Sequence, residues 1–361
     1  MPSILIFLAV LSLLVVVHEW GHFIVARLVG IRVEKFSIGF GPVVFGKKIG
    51  DTEYCFSLLP LGGFVKLAGE SADDATGAAW EFSSKSLWQK FAVVFAGPLM
   101  NAFLALILFW IIFMAGQPTM TTRVGKVLPD SAAQAAGILK GDRIVAVDGQ
   151  KVAVWEDLLR KLRENPAPAL TLLVEREGRT LTLAVSPKIQ EARDIFGKSF
   201  RAAFLDVAPS SEVIRVRSGV FEAMRLALER VCALTATIFI SLGLMITGAL
   251  PFKESMTGPI GIFFMTQKAA QMGAVTLLYF TGSLSVSLFV LNLLPVPVLD
   301  GGHVLFILIE KIKGSPLRES VKERMTQVGM TALLALMVLV TFQDAHRFAL
   351  LENLKNFFIK K

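Results

Sequence analysis

Charge is what this 361-residue sequence has least of. Asp, Glu, Lys and Arg make up 18% of it, against about 25% in a soluble globular chain, while hydrophobic residues make up 54%. That balance excludes an ordinary soluble protein and points to an integral membrane protein. Cysteine is scarcer still. Cys55 and Cys232 are the only two, too few for a disulfide scaffold or a cysteine-based zinc site. A basic run is also missing. The formal net charge is +8, yet the Lys and Arg are spread among apolar stretches and no nucleic-acid motif is present. The positive balance is therefore read as a membrane-orientation signal, with no nucleic-acid partner expected.

A helix needs about 20 apolar residues to cross a bilayer. Four stretches are long enough, at about 4–28, 91–115, 274–299 and 326–342. The first lacks a basic n-region and a small-x-small cleavage site, and it carries His and Glu, so it is read as a retained span and not a signal peptide. Orientation follows from Lys and Arg near the span ends. Arg27, Arg32, Lys35, Lys47 and Lys48 follow the first span, Lys85 and Lys90 precede the second, and Lys311, Lys313, Arg318, Lys322 and Arg324 separate the third from the fourth. All fall on the inner side if the N-terminus is outside, which puts 117–273 outside. A fifth stretch, Val231–Leu250, is interrupted by Thr235, Thr237, Ser241, Gly243 and Thr247. It is read as a helix lying on or dipping into the outer leaflet.

Within 117–188 the pattern becomes that of a small soluble domain. The run from Val124 to Gly149 holds Ala136-Gly137 and Gly141-Asp142 ahead of Ile144 and Val147. A helix is expected around Val154–Arg163, and alternating strands at Ala169–Glu175 and Thr180–Val185 flank a turn at Glu177-Gly178. This stretch resembles a PDZ domain, present once. Such domains take an extended peptide beside a strand edge, so a peptide or substrate segment is the expected partner at its groove. Residues 189–273 are expected to form a linker and membrane-surface helices.

Chemistry concentrates at the inner end of the first span, Val17-His18-Glu19-Trp20-Gly21-His22. Residues four apart share a helix face, so His18 and His22 can hold one metal ion with Glu19 beside it. Two imidazoles and a third ligand suit Zn²⁺ with one position open to water, whose pKa falls towards about 7 and whose proton Glu19 can take. Ionisable groups inside a bilayer are costly and usually functional. The third ligand should come from another span at the same depth. The third span ends Leu291-Asn292-Leu293-Leu294-Pro295-Val296-Pro297-Val298-Leu299-Asp300-Gly301-Gly302, where Asp300 is the only carboxylate before Glu310. Pro295 and Pro297 break or kink that helix, and irregular backbone at membrane depth survives only where protein or a water-filled cavity lines it.

His-Glu-x-x-His on the first span, Asn-x-x-Pro-x-Pro-x-Leu-Asp-Gly-Gly on the third and an inserted PDZ-like domain together resemble the site-2 protease family, zinc metalloproteases that cut peptide bonds within membranes. The likeness extends to Gly39-Phe-Gly-Pro42, Pro60-Leu-Gly-Gly-Phe-Val-Lys66, Ala96-Gly-Pro-Leu-Met-Asn101 and Gly258-Pro-Ile-Gly261. It implies zinc on His18, His22 and Asp300, Glu19 as general base, and substrate contact at Asn292 beside Pro295 and Pro297. The Asn292 amide would hold the substrate backbone or stabilise an oxyanion. The resemblance also makes the Gly-rich segments Ile38–Phe45 and Tyr54–Leu67 a β-hairpin re-entering the membrane from inside. There an edge strand including Gly62, Gly63, Phe64 and Val65 would accept an unwound substrate. Implied substrates are single-span proteins already trimmed outside, anti-sigma factors among them, and leftover signal peptides. The fold class expected is thus an α-helical polytopic membrane protein with about four transmembrane helices, a re-entrant β element and one extracytoplasmic PDZ-like domain. A silent PDZ-bearing scaffold would have lost metal ligands, and a metal or proton transporter would show internal repeats. Neither feature is found.

Overall fold

The apolar runs become helices long enough to set the depth of every residue they carry. The computed structural model describes residues 2–71, 74–164, 166–193, 199–251 and 255–348. Helix α1 (Pro2–Leu28) has 27 residues, about 40 Å at 1.5 Å per residue, against about 30 Å of hydrocarbon. By length and composition five helices among the described residues could cross a membrane: Ser3–Leu28, Leu87–Ala115, Val220–Ile246, Ala274–Asn292 and Glu319–Arg347. That is one more than the four stretches expected. The addition is the helix containing the interrupted segment read as surface-lying, whose charged first turns extend it back to Val220.

The chain divides into two compact units, Met1–Ile112 with Phe221–Lys361, and Phe113–Val220. The first contains α1, a β-hairpin of β1 (Val33–Ile49) and β2 (Thr52–Leu67), and most of α2 (Leu87–Ala115). After the second unit come α5 (Val220–Ile246), α6 (Pro259–Gln271), α7 (Ala274–Asn292), α8 (Asp300–Lys313) and α9 (Glu319–Arg347). The expected third span at 274–299 is helical only to Asn292. Pro295 and Pro297 have no N–H to donate, so 293–299 turns on short hydrogen bonds (Val296 N–H to the Leu294 carbonyl, 2.7 Å; Leu299 N–H to the Val296 carbonyl, 2.8 Å). Asp300 then opens a new helix. Substituting a β-carbon at Gly301 or Gly302 would collide with the carbonyls of Leu293 and Val296, so the paired glycines let α8 start tight against that turn. The chain from 349 onward lies outside the described residues.

The hairpin folds back on itself. Phe36–Ile38 are matched both with Tyr54–Phe56 and with Gly63–Val65, which leaves the 63–67 segment as an outer ribbon with one strand partner among the described residues. Phe40, Val43, Val44, Phe45, Phe56, Leu58 and Leu59 stand exposed around its tip, an apolar patch of the kind that marks a membrane or partner surface.

The second unit builds on a four-stranded sheet, in the order β6 (Gln150–Lys151), β5 (Arg143–Val147), β7 (Leu170–Arg176), β8 (Arg179–Val185). Helices α3 (Ala132–Ala135) and α4 (Trp155–Glu164) cover a core that includes Ile144, Leu158, Leu172 and Val174. The unit runs past residue 188. In addition to β9 (Lys188–Arg193) and β10 (Ser199–Phe204), β11 (Val207–Pro209) pairs with β4 (Val124–Val127), and β12 (Val213–Val216) with β3 (Gln117–Met120). Ala203 and Leu205 join the same core. The stretch from 189 to 216, expected to be linker, is therefore part of the domain where it is described; 194–198 lie outside the described residues. The Gly-Asp signature has a structural job. Asp142 takes hydrogen bonds from Arg176 Nε and Nη2, both 2.7 Å, and from the Leu139 N–H at 2.8 Å.

Candidate metal centre

His18 and His22 lie one turn apart on α1, and their Nε2 atoms approach to 3.2 Å. Asp300, first residue of α8, brings Oδ2 to 3.0 Å from His18 Nε2 and Oδ1 to 3.6 Å from His22 Nε2. These three residues are the one group among those described whose ligand atoms could share a metal ion. The spacing itself tests the fit. Ligands about 2.05 Å from a tetrahedral zinc stand about 3.3 Å from one another; the two imidazole nitrogens lie at 3.2 Å, and each meets a different oxygen of the Asp300 carboxylate. Two imidazole nitrogens and one carboxylate oxygen are also a donor set zinc takes, with a fourth position left free. Glu19 lies on the wall of the same cavity, about 660 Å³, which Asn292 and the ligands also line. Trp20 is half exposed and turned out of it.

Helix α2 holds the histidines from behind with residues spaced four apart. His22 Nδ1–H donates to the Val93 carbonyl at 2.8 Å. A β-carbon at Gly97 would fall on the His22 ring, so glycine is what lets that ring lie flat against the helix. The Asn101 amide reaches His18 Nδ1 at 3.2 Å. The contacts also fix helix directions: Val93 meets the later histidine and Asn101 the earlier, so α2 runs against α1. Ser285 Oγ donates to the Asn101 carbonyl at 2.7 Å and the earlier Tyr279 meets the later Phe109 at 5.3 Å, so α7 runs against α2 and with α1.

The other residues expected at the site divide. Phe64 and Val65 line the cavity with His18, His22 and Asp300, and a methyl at Gly63 would touch Glu19 Cγ at 3.5 Å. Gly62 instead packs under the Phe40 ring. Pro295 and Pro297 are not on the cavity wall; they shape the turn between α7 and α8. Val93, Gly97 and Asn101 had been given no role from sequence. A signal was available, since Asn101 is an amide in the middle of a charge-free apolar span.

Residues 6–336 match the model of peptidase family M50. A candidate zinc metalloprotease of Agrobacterium fabrum is 36% identical over 356 residues, covering 94% of this chain and 94% of that one. The regulator of sigma-E protease RseP of Escherichia coli is 31% identical, covering 94% of this chain and 98% of its own length. The zinc metalloprotease RasP of Bacillus licheniformis is 29% identical, covering 96% and 99%. The match to RseP spans 447 positions and that to RasP 427, more than this chain has, so both relatives carry internal stretches that it lacks. Among solved structures, the PDZ domain of the SdrC-like protein of Listeria innocua covers 26% of this chain and 96% of its own at 19% identity, with a TM-score of 0.20, too low to bear on the fold.

Proposed function

This chain belongs to peptidase family M50, the site-2 protease family of zinc metalloendopeptidases, and from that premise we propose that His18, His22 and Asp300 hold its zinc ion and Glu19 is its general base. The observation that carries this reading is the convergence of His18 Nε2, His22 Nε2 and the Asp300 carboxylate, close enough to share one ion, with Glu19 on the same cavity wall. Zinc held there supplies a Lewis acid, lowering the pKa of water towards about 7 and polarising a peptide carbonyl. Glu19 takes the proton of the attacking water and delivers it to the leaving nitrogen as the C–N bond breaks. Asn292 donates its amide to the substrate backbone or to the developing oxyanion.

A membrane-spanning substrate arrives with its amides paired inside its own helix. The outer ribbon at Gly62, Gly63, Phe64 and Val65 accepts the unwound segment as an added strand, a reading supported by the place of Phe64 and Val65 in the cavity. Pro295 and Pro297 shape the turn between Asn292 and Asp300, which both face the cavity.

The protein is a multi-pass protein of the bacterial inner membrane, crossing with α1, α2, α7 and α9, with its N-terminus and the Phe113–Val220 unit outside. The parallel sense of α1 and α7 supports this count. A complete extra crossing by α5 would need a return before α7, and α6 has 13 residues, about 20 Å. Phe7 of α1 and Phe263 of α6 meet at 5.5 Å, which puts α6 at the outer end of α1. Substrates are single-span membrane proteins already trimmed outside, anti-sigma factors among them, and leftover signal peptides. The PDZ-like unit offers a peptide an apolar groove of about 370 Å³ beside α4, where Leu159 and Phe200 lie.

The test is cleavage of a tagged single-span peptide by the purified protein in detergent, run beside Glu19→Gln and a zinc-chelated sample. Product from untreated wild type alone is expected. Equal product from all three would overturn the reading. Cysteine labelling in cells should place Lys140 outside and Lys322 inside; the reverse would overturn the topology.

A further inference from the structure

A metal-bound imidazole must keep the lone pair of one nitrogen free, and whatever meets the other nitrogen decides whether it can. For His22 the second partner is the Val93 carbonyl, which can only accept, so Nδ1 carries the proton and Nε2 faces the ligand triangle. For His18 the second partner is the Asn101 side chain, fully buried. With its nitrogen towards Nδ1, as the 3.2 Å contact is drawn, the ring would have to accept there and carry its proton on Nε2. That tautomer cannot ligate through Nε2, and it leaves Asn101 Oδ1 buried without a hydrogen-bond partner. Turning the carboxamide by 180° exchanges oxygen and nitrogen and moves no other heavy atom. Oδ1 then accepts Nδ1–H, and the Nε2 lone pair is free.

We propose that Asn101 is the positioning residue of His18, its carboxamide oxygen fixing the imidazole tautomer and ring plane that zinc requires. The inference rests on the zinc site assigned above. Asn101 is suited to the task because its backbone is pinned as well: its carbonyl accepts from Ser285 Oγ of α7 at 2.7 Å, so one residue joins α1, α2 and the helix leading to Asp300. The two histidines are then oriented by one stripe of α2, Val93 and Asn101, a helix that contributes no ligand.

The experiment measures zinc affinity of the full-length protein in detergent by competition with a chromophoric chelator, together with the melting temperature of each zinc-free form. The proteins are wild type, Asn101→Leu, Asn101→Asp and His18→Ala. Leucine keeps the shape of asparagine and removes both polar atoms, leaving His18 Nδ1 without its partner, so the zinc-free melting temperature records any folding cost separately. Asparagine-to-aspartate keeps the acceptor and removes the donor. Asn101→Leu should bind zinc about 10–100-fold more weakly, the range for a lost outer contact, while its zinc-free form still melts cooperatively, and Asn101→Asp should recover most of the loss. Leucine binding as tightly as wild type, or aspartate binding as weakly as leucine, would overturn the proposal. Failure of wild type to bind zinc, or retention by His18→Ala, would instead sink the zinc site itself.

Discussion

Two aspartates, one in each unit, make opposite use of the same chemistry. Asp142 is 1% exposed and closed in by Arg176 and the Leu139 N–H. All its partners are donors, and nothing else can enter. Asp300 is 19% exposed, opens on a cavity, and faces two imidazoles whose nitrogens can offer lone pairs in place of protons. The first arrangement is complete as it stands and locks a turn. The second leaves room beside its nitrogens and carboxylate for a cation to join them. Burial of a carboxylate therefore says little by itself; the kind of partner and the room left over separate structure from chemistry.

Substitutions break this comparison in a graded way. Glu19→Gln keeps the ligands and removes the base, so turnover should fall by about 10²–10⁴-fold while zinc stoichiometry stays at one, checked by peptide cleavage and metal analysis. Substantial residual turnover would deny Glu19 its role. Asp300→Asn should lower zinc affinity by more than the roughly 100-fold that an outer contact can account for; unchanged affinity would remove Asp300 from the ligand set. Asp142→Asn should leave zinc binding intact and destabilise the Phe113–Val220 unit by about 2 kcal/mol, the scale of hydrogen bonds to a charged group, read as earlier proteolysis of that segment in the full-length protein.

The smallest effect is in pH. Burial alone would raise the Asp142 carboxyl, but the Arg176 and Leu139 hydrogen bonds more than reverse this and hold it below its usual range. A depressed folded-state value contributes stability that is complete above the unfolded value, about 3.9. That contribution is lost as pH falls through the folded value. Acid should therefore loosen this unit below about pH 4 in wild type, and Asp142→Asn should flatten that dependence.

The polar residues of the apolar spans were legible as sequence because each is an exception in its own stretch. His18, Glu19, His22 and Asp300 stand out against charge-free neighbours, and depth alone pairs them. The PDZ-like signature was legible because its glycines and aspartate sit in one short run. The stretch 207–216 was not, because its strands are short and close on β4 and β3 some 80 to 100 residues earlier, a pairing no local pattern reveals. The role of Asn101 was hidden for another reason: α2 is apolar all round, so nothing in its periodicity says which face meets α1.

The missing side chain at Gly97 has a consequence for mutational tolerance. Its α-carbon lies where any larger residue would displace the His22 ring, although it touches neither substrate nor proton. A saturation screen scored on growth or cleavage would rank this position beside Glu19. The two intolerances part only when metal content is scored as well, since a replacement at 97 empties the site whereas Glu19→Gln leaves it full.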